Sequence, residues 1–229
     1  MISSYIQPSR ENKSASNLTT RIHYQATEGT LMQPGDHRLC FVGDSFVQGT
    51  CDPECRGWVG RVAANARAKG YSVTAYNLGI RRETSRDIRA RWAAECTPRL
   101  QLGSPYLFFA FGANDMTAEG ATVRVPFAES IANFRAILTA AQTRYPVLVL
   151  GPLPVGDRAQ DERILQLCTA YRAVAAELAV PYLPIAHHLV DNSVWLHEVN
   201  SNDGSHPGAA GYDLIAAHVL AWSAWCFRE

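Results

Sequence analysis

Two short segments far apart in the chain carry residue types that nucleophilic catalysis uses. Residues 38–50 read RLCFVGDSFVQGT, so a short apolar run is followed at once by Asp44 and Ser45. Residues 203–208 read DGSHPG, which places Asp203 three positions before His206. A serine hydroxyl becomes a nucleophile when a histidine accepts its proton and a carboxylate orients that histidine. These residues predict a triad of Ser45, His206 and Asp203, provided that the fold brings the two segments together.

Acyl transfer also needs hydrogen-bond donors for the negative charge that develops on the substrate oxygen. Two further segments contain such donors: residues 77–79 read NLG, and residues 112–115 read GAND. We therefore expect an oxyanion hole formed by the backbone N–H groups of Ser45 and Gly79 and the side-chain amide of Asn114.

The elements that must position these residues are visible as an alternation of apolar runs and helical patterns. The runs predict strands that are buried on both faces, as in a parallel sheet. They lie at 39–42, 71–78, 106–111, 147–150 and 182–185. Helical periodicity occurs at 57–69, 84–102 (with Thr84 as candidate N-cap), 127–144, 160–179 and 208–226. Strict alternation of strand and helix predicts right-handed crossovers, with helices on both faces of the sheet.

The predicted fold class is a three-layer α/β/α domain with a flavodoxin-like parallel sheet of five strands in the order 2-1-3-4-5. In such sheets ligands bind outside the carboxyl ends of the strands. Ser45, Gly79 and Asn114 follow the first, second and third predicted strands, and His206 precedes the last predicted helix. The candidate residues therefore lie where this topology places its binding site.

Taken together, the four segments resemble the SGNH, or GDSL-type, hydrolase family. GDSFVQG resembles the nucleophile block, NLG the block with the oxyanion glycine, GAND the G-x-N-D block and DGSHP the D-x-x-H block, in the family's order over residues 43–211. The resemblance implies Ser45 as nucleophile, Asp203 and His206 as its triad partners, and Ser45, Gly79 and Asn114 as oxyanion donors.

The same resemblance implies an esterase or lipase-like acylhydrolase that needs neither metal nor cofactor and cleaves a small-molecule ester. A thioesterase and a carbohydrate deacetylase of the same family are the alternatives. A non-catalytic flavodoxin-like binding module is a further alternative, although neither a GxGxxG nor a GxxxxGK[ST] motif is present to bind phosphate.

Four residues near the predicted site are candidates for contact with the substrate. Where the family often has a further glycine, this chain has Arg81 and Arg82, which could contact an anionic substrate or form ion pairs at the start of the next helix. Trp195 and Leu196 precede the triad loop and could line an acyl pocket or pack in the core. The longest predicted loops, 115–126 and 186–206, are too short for a lid domain, so we expect a shallow groove and a small acyl group.

Composition limits the partners of this 229-residue chain. Its 21 basic residues balance its 21 acidic residues, which argues against nucleic acid as a partner. No apolar stretch approaches the roughly 18 residues that span a bilayer, and no apolar signal segment is present at the start, so we expect a cytoplasmic protein.

Residues 1–36 are polar and predict a flexible or loosely docked arm before one hydrolase domain at 37–229. The oligomeric state is left open.

The cysteines and histidines offer a second kind of site. Cys51 and Cys55 share a loop and could form a disulfide or hold a metal, but reduced thiols are favoured because there is no CxxC pair. His187, His188 and His197 have no acidic or cysteine partner at metal-ligand spacing. We therefore expect no metal site.

Overall fold

A five-stranded parallel sheet forms the centre of the protein in the computed structural model, which describes residues 35–228. In chain order the strands are β1 (His37–Gly43), β2 (Val73–Gly79), β3 (Ser104–Ala110), the hairpin strands β4 (Ala118–Glu119) and β5 (Thr122–Val123), β6 (Val147–Leu150) and β7 (Tyr182–Leu183). The main sheet has the order β2-β1-β3-β6-β7, which confirms the predicted order of five strands. The predicted arm at 1–36 lies, apart from its last two residues, outside the described residues.

Two groups of helices cover the two faces of this sheet. The helices are α1 (Ser45–Gln48), α2 (Gly57–Ala68), α3 (Ser85–Arg99), α4 (Phe127–Ala141), α5 (Arg158–Glu177), α6 (Ala186–Leu189), α7 (Ser193–Ser201) and α8 (Ala209–Ala221). Contacts link α2 to α8 and α8 to α7, whereas α3 contacts α4 and α4 contacts α5. The three-layer α/β/α architecture is therefore confirmed. Between residues 35 and 228, no helix has both the length and the apolar character needed to cross a membrane.

The core is built on the two central strands, β1 and β3, whose side chains alternate between the two helical layers. On one face Phe41 stacks on Phe108, with 4.7 Å between ring centroids, and meets the edge of Trp58 from α2. On the other face Phe109 contacts Trp92 from α3. The expectation that every strand is buried on both faces is wrong for β2, where residues 74, 75 and 77 are exposed because β2 is an edge strand.

The segment predicted as a loop at 186–206 contains two helices, α6 and α7. The side chain of Asn192 caps α7 by accepting hydrogen bonds from the N–H groups of Val194 and Trp195. Trp195 and Val199, one helical turn apart, are its buried residues. Because α7 has only nine residues, its sequence contains too few apolar positions to predict a helix. The helix becomes evident only in the structure, where it packs against α8. The second predicted loop, 115–126, contains the β4–β5 hairpin.

A buried ion pair fixes the loop that joins α1 to α2. The Asp52 carboxylate accepts hydrogen bonds from three backbone N–H groups of its own loop and from the guanidinium of Arg61 at 2.6 Å. Arg61 also pairs with Asp213 on α8. A second contact to α8 is made by Tyr212, whose hydroxyl donates to the Thr50 carbonyl at 2.6 Å. The loop and the first turns of α8 are thereby held together.

Among the acidic partners of Arg61, Asp52 and Asp213 differ in burial, and this difference predicts different costs of removal. Asp52→Ala leaves Arg61 without its buried partner and strands three loop N–H groups, so it should lower the free energy of unfolding by about 3–5 kcal/mol. The matched control Asp213→Ala, with a side chain 68% exposed, should cost at most about 1 kcal/mol. Urea unfolding followed by circular dichroism measures both values. Equal small losses would show that the Asp52 pair does not hold the loop.

Candidate active site

The first candidate, Ser45, stands where β1 turns into α1. The turn requires a glycine at Gly43, because a Cβ there would lie 2.0 Å from the Ala110 carbonyl oxygen of the neighbouring strand. The Asp44 side chain then caps the short helix by accepting a hydrogen bond from the Phe46 N–H at 3.0 Å. Ser45 is consequently the first residue of α1, at the carboxyl end of β1.

The structure brings Ser45, His206 and Asp203 into direct contact. His206 Nε2 lies 2.7 Å from Ser45 Oγ, and His206 Nδ1 lies 2.8 Å from Asp203 Oδ2. The Asp203 carboxylate also accepts a hydrogen bond from the His206 backbone N–H at 2.9 Å. These partners select the tautomer in which Nδ1–H donates to Asp203 and Nε2 accepts from the serine hydroxyl.

Burial and hydrogen bonding set the charges of this group. Burial lowers the pKa of His206 below its usual value, although Asp203 acts in the opposite direction. For Asp203, burial acts to raise the pKa, but the hydrogen bonds from the ring and backbone of His206 outweigh it, and the pKa falls to about 2. At neutral pH the carboxylate is therefore ionised and the imidazole is neutral, which is the state in which it can accept a proton.

Two residues that the sequence analysis missed hold the loop of His206. The Asn202 side chain donates to the His206 carbonyl at 3.2 Å. The Glu198 carboxylate, from α7, accepts hydrogen bonds from the N–H groups of Ala210 and Gly211 at the start of α8. The first N–H groups of a helix have no acceptor within the helix, and Gly208, the residue before α8, has no side chain to supply one. An acceptor from another element was therefore to be expected.

Trp195 lies beneath the site and does not line its surface. Its side chain is fully buried and stacks on Phe46, which in turn contacts the His206 ring with 5.0 Å between centroids. Leu196 is partly buried against the core. Of the two alternatives for Trp195, packing in the core is therefore the one found in this structure. Ile80, directly after Gly79, is an apolar side chain that is 44% exposed.

The oxyanion candidate Gly79 stands at the end of β2, level with Gly43 of β1. Its backbone N–H donates to Asn77 Oδ1 at 3.0 Å, and Asn77 Nδ2 donates to the Val47 carbonyl of α1 at 2.7 Å. A Cβ at position 79 would lie 2.2 Å from the Gln48 nitrogen, so the close approach to α1 requires glycine. The end of β2 and α1 are thus tied together.

Asn114 opens a short turn after β3, and its amide Nδ2 donates to the Glu83 carbonyl at 2.9 Å. One amide hydrogen remains for another acceptor. The neighbouring Asp115 anchors the turn, since its buried carboxylate accepts hydrogen bonds from the Ser85 N–H and the Ser130 hydroxyl. For Ser45, no acceptor of its backbone N–H is found within residues 35–228.

Arg81 and Arg82 follow the glycine at the rim of the site, and both are exposed. The Arg81 guanidinium lies 4.0 Å from Asp203 Oδ2. Arg82 has a φ of 70°, and its carbonyl accepts a hydrogen bond from Arg124 at 2.8 Å. Only Arg81 thus approaches the triad through its side chain.

Acidic residues at the start of α3 do not pair with these two arginines. Asp87 accepts hydrogen bonds from the backbone N–H and the hydroxyl of Thr84, which confirms Thr84 as the N-cap. Glu83 pairs with Arg91, whose guanidinium also donates to backbone carbonyls at the ends of β1 and β2. The ion pairs expected there for Arg81 and Arg82 are not formed.

Both cysteines of the α1–α2 loop, Cys51 and Cys55, are free and exposed, so the disulfide alternative is not realised in this structure. The Cys51 sulfur, an Asp203 oxygen and a His206 nitrogen all lie within 4.8 Å of one another. Burial, followed by the negative charge of Asp203, raises the pKa of the Cys51 thiol. Cys51 is therefore a neutral thiol at the edge of the triad.

The chain is similar to a known protein family and to solved structures. The model of the GDSL-like Lipase/Acylhydrolase family matches residues 41–214. An acetylxylan esterase from Geobacillus stearothermophilus has a similar structure, with a TM-score of 0.66 and 19% identity over 80% of this chain and 92% of that chain. A lipolytic-type protein of the G-D-S-L family from Desulfitobacterium hafniense DCB-2 has a TM-score of 0.63 and 19% identity over 79% of this chain and 96% of that chain. No curated protein matches the sequence.

The contact between Ser45 and His206 predicts selective reactivity of one serine. A fluorophosphonate should label Ser45 alone, because among the serines of residues 35–228 it is the one whose hydroxyl is hydrogen-bonded to the His206 imidazole. His206→Ala should slow the labelling strongly. Ser205→Ala removes a hydroxyl from the same loop as His206 and should leave labelling unchanged. Peptide mass spectrometry locates the adduct, and a label on another serine would contradict the assignment.

Proposed function

The chain belongs to the GDSL-like lipase/acylhydrolase family and is an ester-bond hydrolase, and we propose that it is a serine esterase with Ser45 as nucleophile, His206 as base and Asp203 as the orienting carboxylate. The family assignment confirms the resemblance carried by the four sequence blocks. The proposed roles of these three residues are supported by one observation: a continuous chain of hydrogen bonds runs from Ser45 Oγ through the His206 ring to Asp203.

In the proposed reaction Ser45 Oγ attacks the acyl carbon while its proton passes to His206 Nε2. The imidazolium that forms is stabilised by the ionised Asp203 carboxylate, to which Nδ1–H already donates. His206 then gives the proton to the departing alcohol, which leaves an acyl group on Ser45. Water attacks this acyl-enzyme with His206 again as base, and the acid product and the free serine are released.

For the developing oxyanion we propose the backbone N–H groups of Ser45 and Gly79 and the amide of Asn114. The N–H of Ser45 and the second amide hydrogen of Asn114 are available, as described above. The Gly79 N–H is held by Asn77 Oδ1, so it must exchange this acceptor for the oxyanion when the substrate binds. Ser45 and Asn114 are therefore the donors that need no rearrangement.

A short acyl group is the substrate feature that the surroundings of the triad support. Trp195 is buried under Phe46 and does not wall a deep slot. A cavity of about 530 Å³ in this structure is lined by residues of the β4–β5 hairpin and Arg163 and includes no triad side chain. Ile80 offers a small apolar contact at the rim. An acetylated carbohydrate is a natural substrate to test first, because a structural neighbour is an acetylxylan esterase.

The oxyanion role of Asn114 can be separated from its role in the turn after β3. Asn114→Ala should lower kcat about 10²–10³-fold with little change in KM, because the lost hydrogen bond acts on the transition state. Gln160→Ala is the matched control: Gln160 donates to Ala113 and Thr117 of the same turn without belonging to the proposed oxyanion hole, so kcat should change only slightly. Similar losses in both variants would make Asn114 a turn residue.

The open site predicts a preference for short acyl chains. Each methylene contributes about 0.8 kcal/mol only where apolar surface receives it, and here Ile80 offers a limited area. In a series of p-nitrophenyl esters from acetate to palmitate, kcat/KM should therefore be highest from acetyl to about hexanoyl. Ile80→Ala should lower kcat/KM for butanoate more than for acetate. A steady rise to the longest chains would instead indicate a lipase.

A further inference from the structure

We propose that Cys51, Asp203 and His206 form a binding site for a thiophilic divalent cation of the zinc type, and that the bound cation switches off the base of the triad. The inhibitory part of this inference rests on the proposed function, whereas the binding part rests on the three side chains alone. One sulfur, one oxygen and one ring nitrogen lie within 4.8 Å of one another.

The combination of ligand atoms selects the class of cation. Thiolate, imidazole and carboxylate are the ligands that zinc takes in proteins, at about 2.0–2.3 Å and in tetrahedral geometry, so ligand atoms in such a site are about 3.3–3.8 Å apart. Cys51 and Asp203 are exposed, and rotation of their side chains can close the remaining ångström towards the buried His206. Mg²⁺ and Ca²⁺ prefer oxygen ligands and would gain little from the sulfur.

The position of Cys51 beside the triad is set by the structure around its loop. Cys51 has a φ of 67°, in the same loop that Asp52 and Arg61 hold through their buried ion pair. The hydroxyl of Tyr212, on α8, donates to the carbonyl of Thr50, directly before Cys51. Because α8 also follows the loop of His206, the sulfur and the imidazole are held by one helix.

Binding of the cation would remove the base whichever ring nitrogen it takes. At Nε2 the metal occupies the lone pair that otherwise accepts the Ser45 proton. At Nδ1 the metal displaces the ring proton that was donated to Asp203; this proton moves to Nε2, which then has no lone pair for the serine. In both cases the thiol proton of Cys51 is released to solvent as the sulfur–metal bond forms. The inhibition should be reversed when a chelator removes the cation.

Cys55 supplies a matched control for the sulfur ligand. It lies four residues further along the same loop, is exposed and free, and also has a positive φ, of 53°. It does not belong to the cluster with Asp203 and His206. Serine replaces cysteine at either position with almost no change in size, so Cys51→Ser and Cys55→Ser differ in whether the cluster loses its sulfur.

The binding part is tested without reference to activity. Purified Ser45→Ala protein is titrated with Cd²⁺, and the ultraviolet thiolate-to-cadmium absorption band is recorded. We expect one equivalent of Cd²⁺ to produce the band, Cys51→Ser in this background to abolish it, and Cys55→Ser to retain it. A band that survives Cys51→Ser, or that requires Cys55, would overturn the proposed site.

The inhibitory part is tested on the hydrolysis of p-nitrophenyl acetate by the unmodified chain. Zn²⁺ should inhibit, EDTA should restore activity, and Mg²⁺ at equal concentration should have no effect. Loss of an outer-shell partner alone lowers metal affinity about 10–100-fold, so Cys51→Ser should need at least about tenfold more Zn²⁺ for half-inhibition. Equal sensitivity of both proteins would overturn the inhibition. Failure to hydrolyse any ester would refute the proposed function, while the cadmium titration would still decide the site.

Discussion

The hydrogen bond between Ser45 Oγ and His206 Nε2 joins residues that are 161 positions apart, and the surrounding structure serves to keep that distance at 2.7 Å. The serine belongs to the turn from β1 into α1, whereas the histidine belongs to the loop between α7 and α8. A displacement of one ångström between these elements would break the contact. The neighbouring elements therefore have to be rigid on both sides of it.

On the serine side, rigidity comes from close backbone packing. Gly43 and Gly79 allow β1, its neighbours and α1 to approach more closely than any side chain would permit. On the histidine side, it comes from charged and polar contacts: Glu198 caps α8, and Arg61 joins α8 to the loop of Asp52. The contacts of Glu198 and Arg61 both converge on α8. The same convergence brings Cys51 to the triad, so the contacts that support the site also produce the cluster on which the metal inference rests.

The electrostatic state of the site follows from unequal burial. His206 is buried, so water stabilises its charged form less and its pKa falls. Asp203 lies at the surface, and hydrogen bonds from His206 lower its pKa and keep it ionised. Since Asp203 and Cys51 are both accessible from solvent, a small acyl substrate and a metal ion would approach from the same side. The solvent access of Asp203 and Cys51 would therefore also expose the proposed base to inhibition by a metal ion.

Much of the fold and of the candidate site follows from local properties of the sequence. Dense apolar runs between amphipathic segments predict a parallel sheet, and the residues directly after these runs must then lie along one edge, which is why Ser45, Gly79 and Asn114 could be proposed as site residues without coordinates. Other features depend on distances between segments remote in the chain. Trp195 is followed in sequence by the triad loop, yet packing of α7 on α8 buries it beneath Phe46. Cys51 lies 152 positions before Asp203 and carries no motif that links the two; only the docking of its loop on α8 makes them neighbours. The residue types and their order along the chain determined which chemical groups this protein has available. Long-range packing decided which of those side chains lie at the candidate site, because burial and proximity depend on the whole chain.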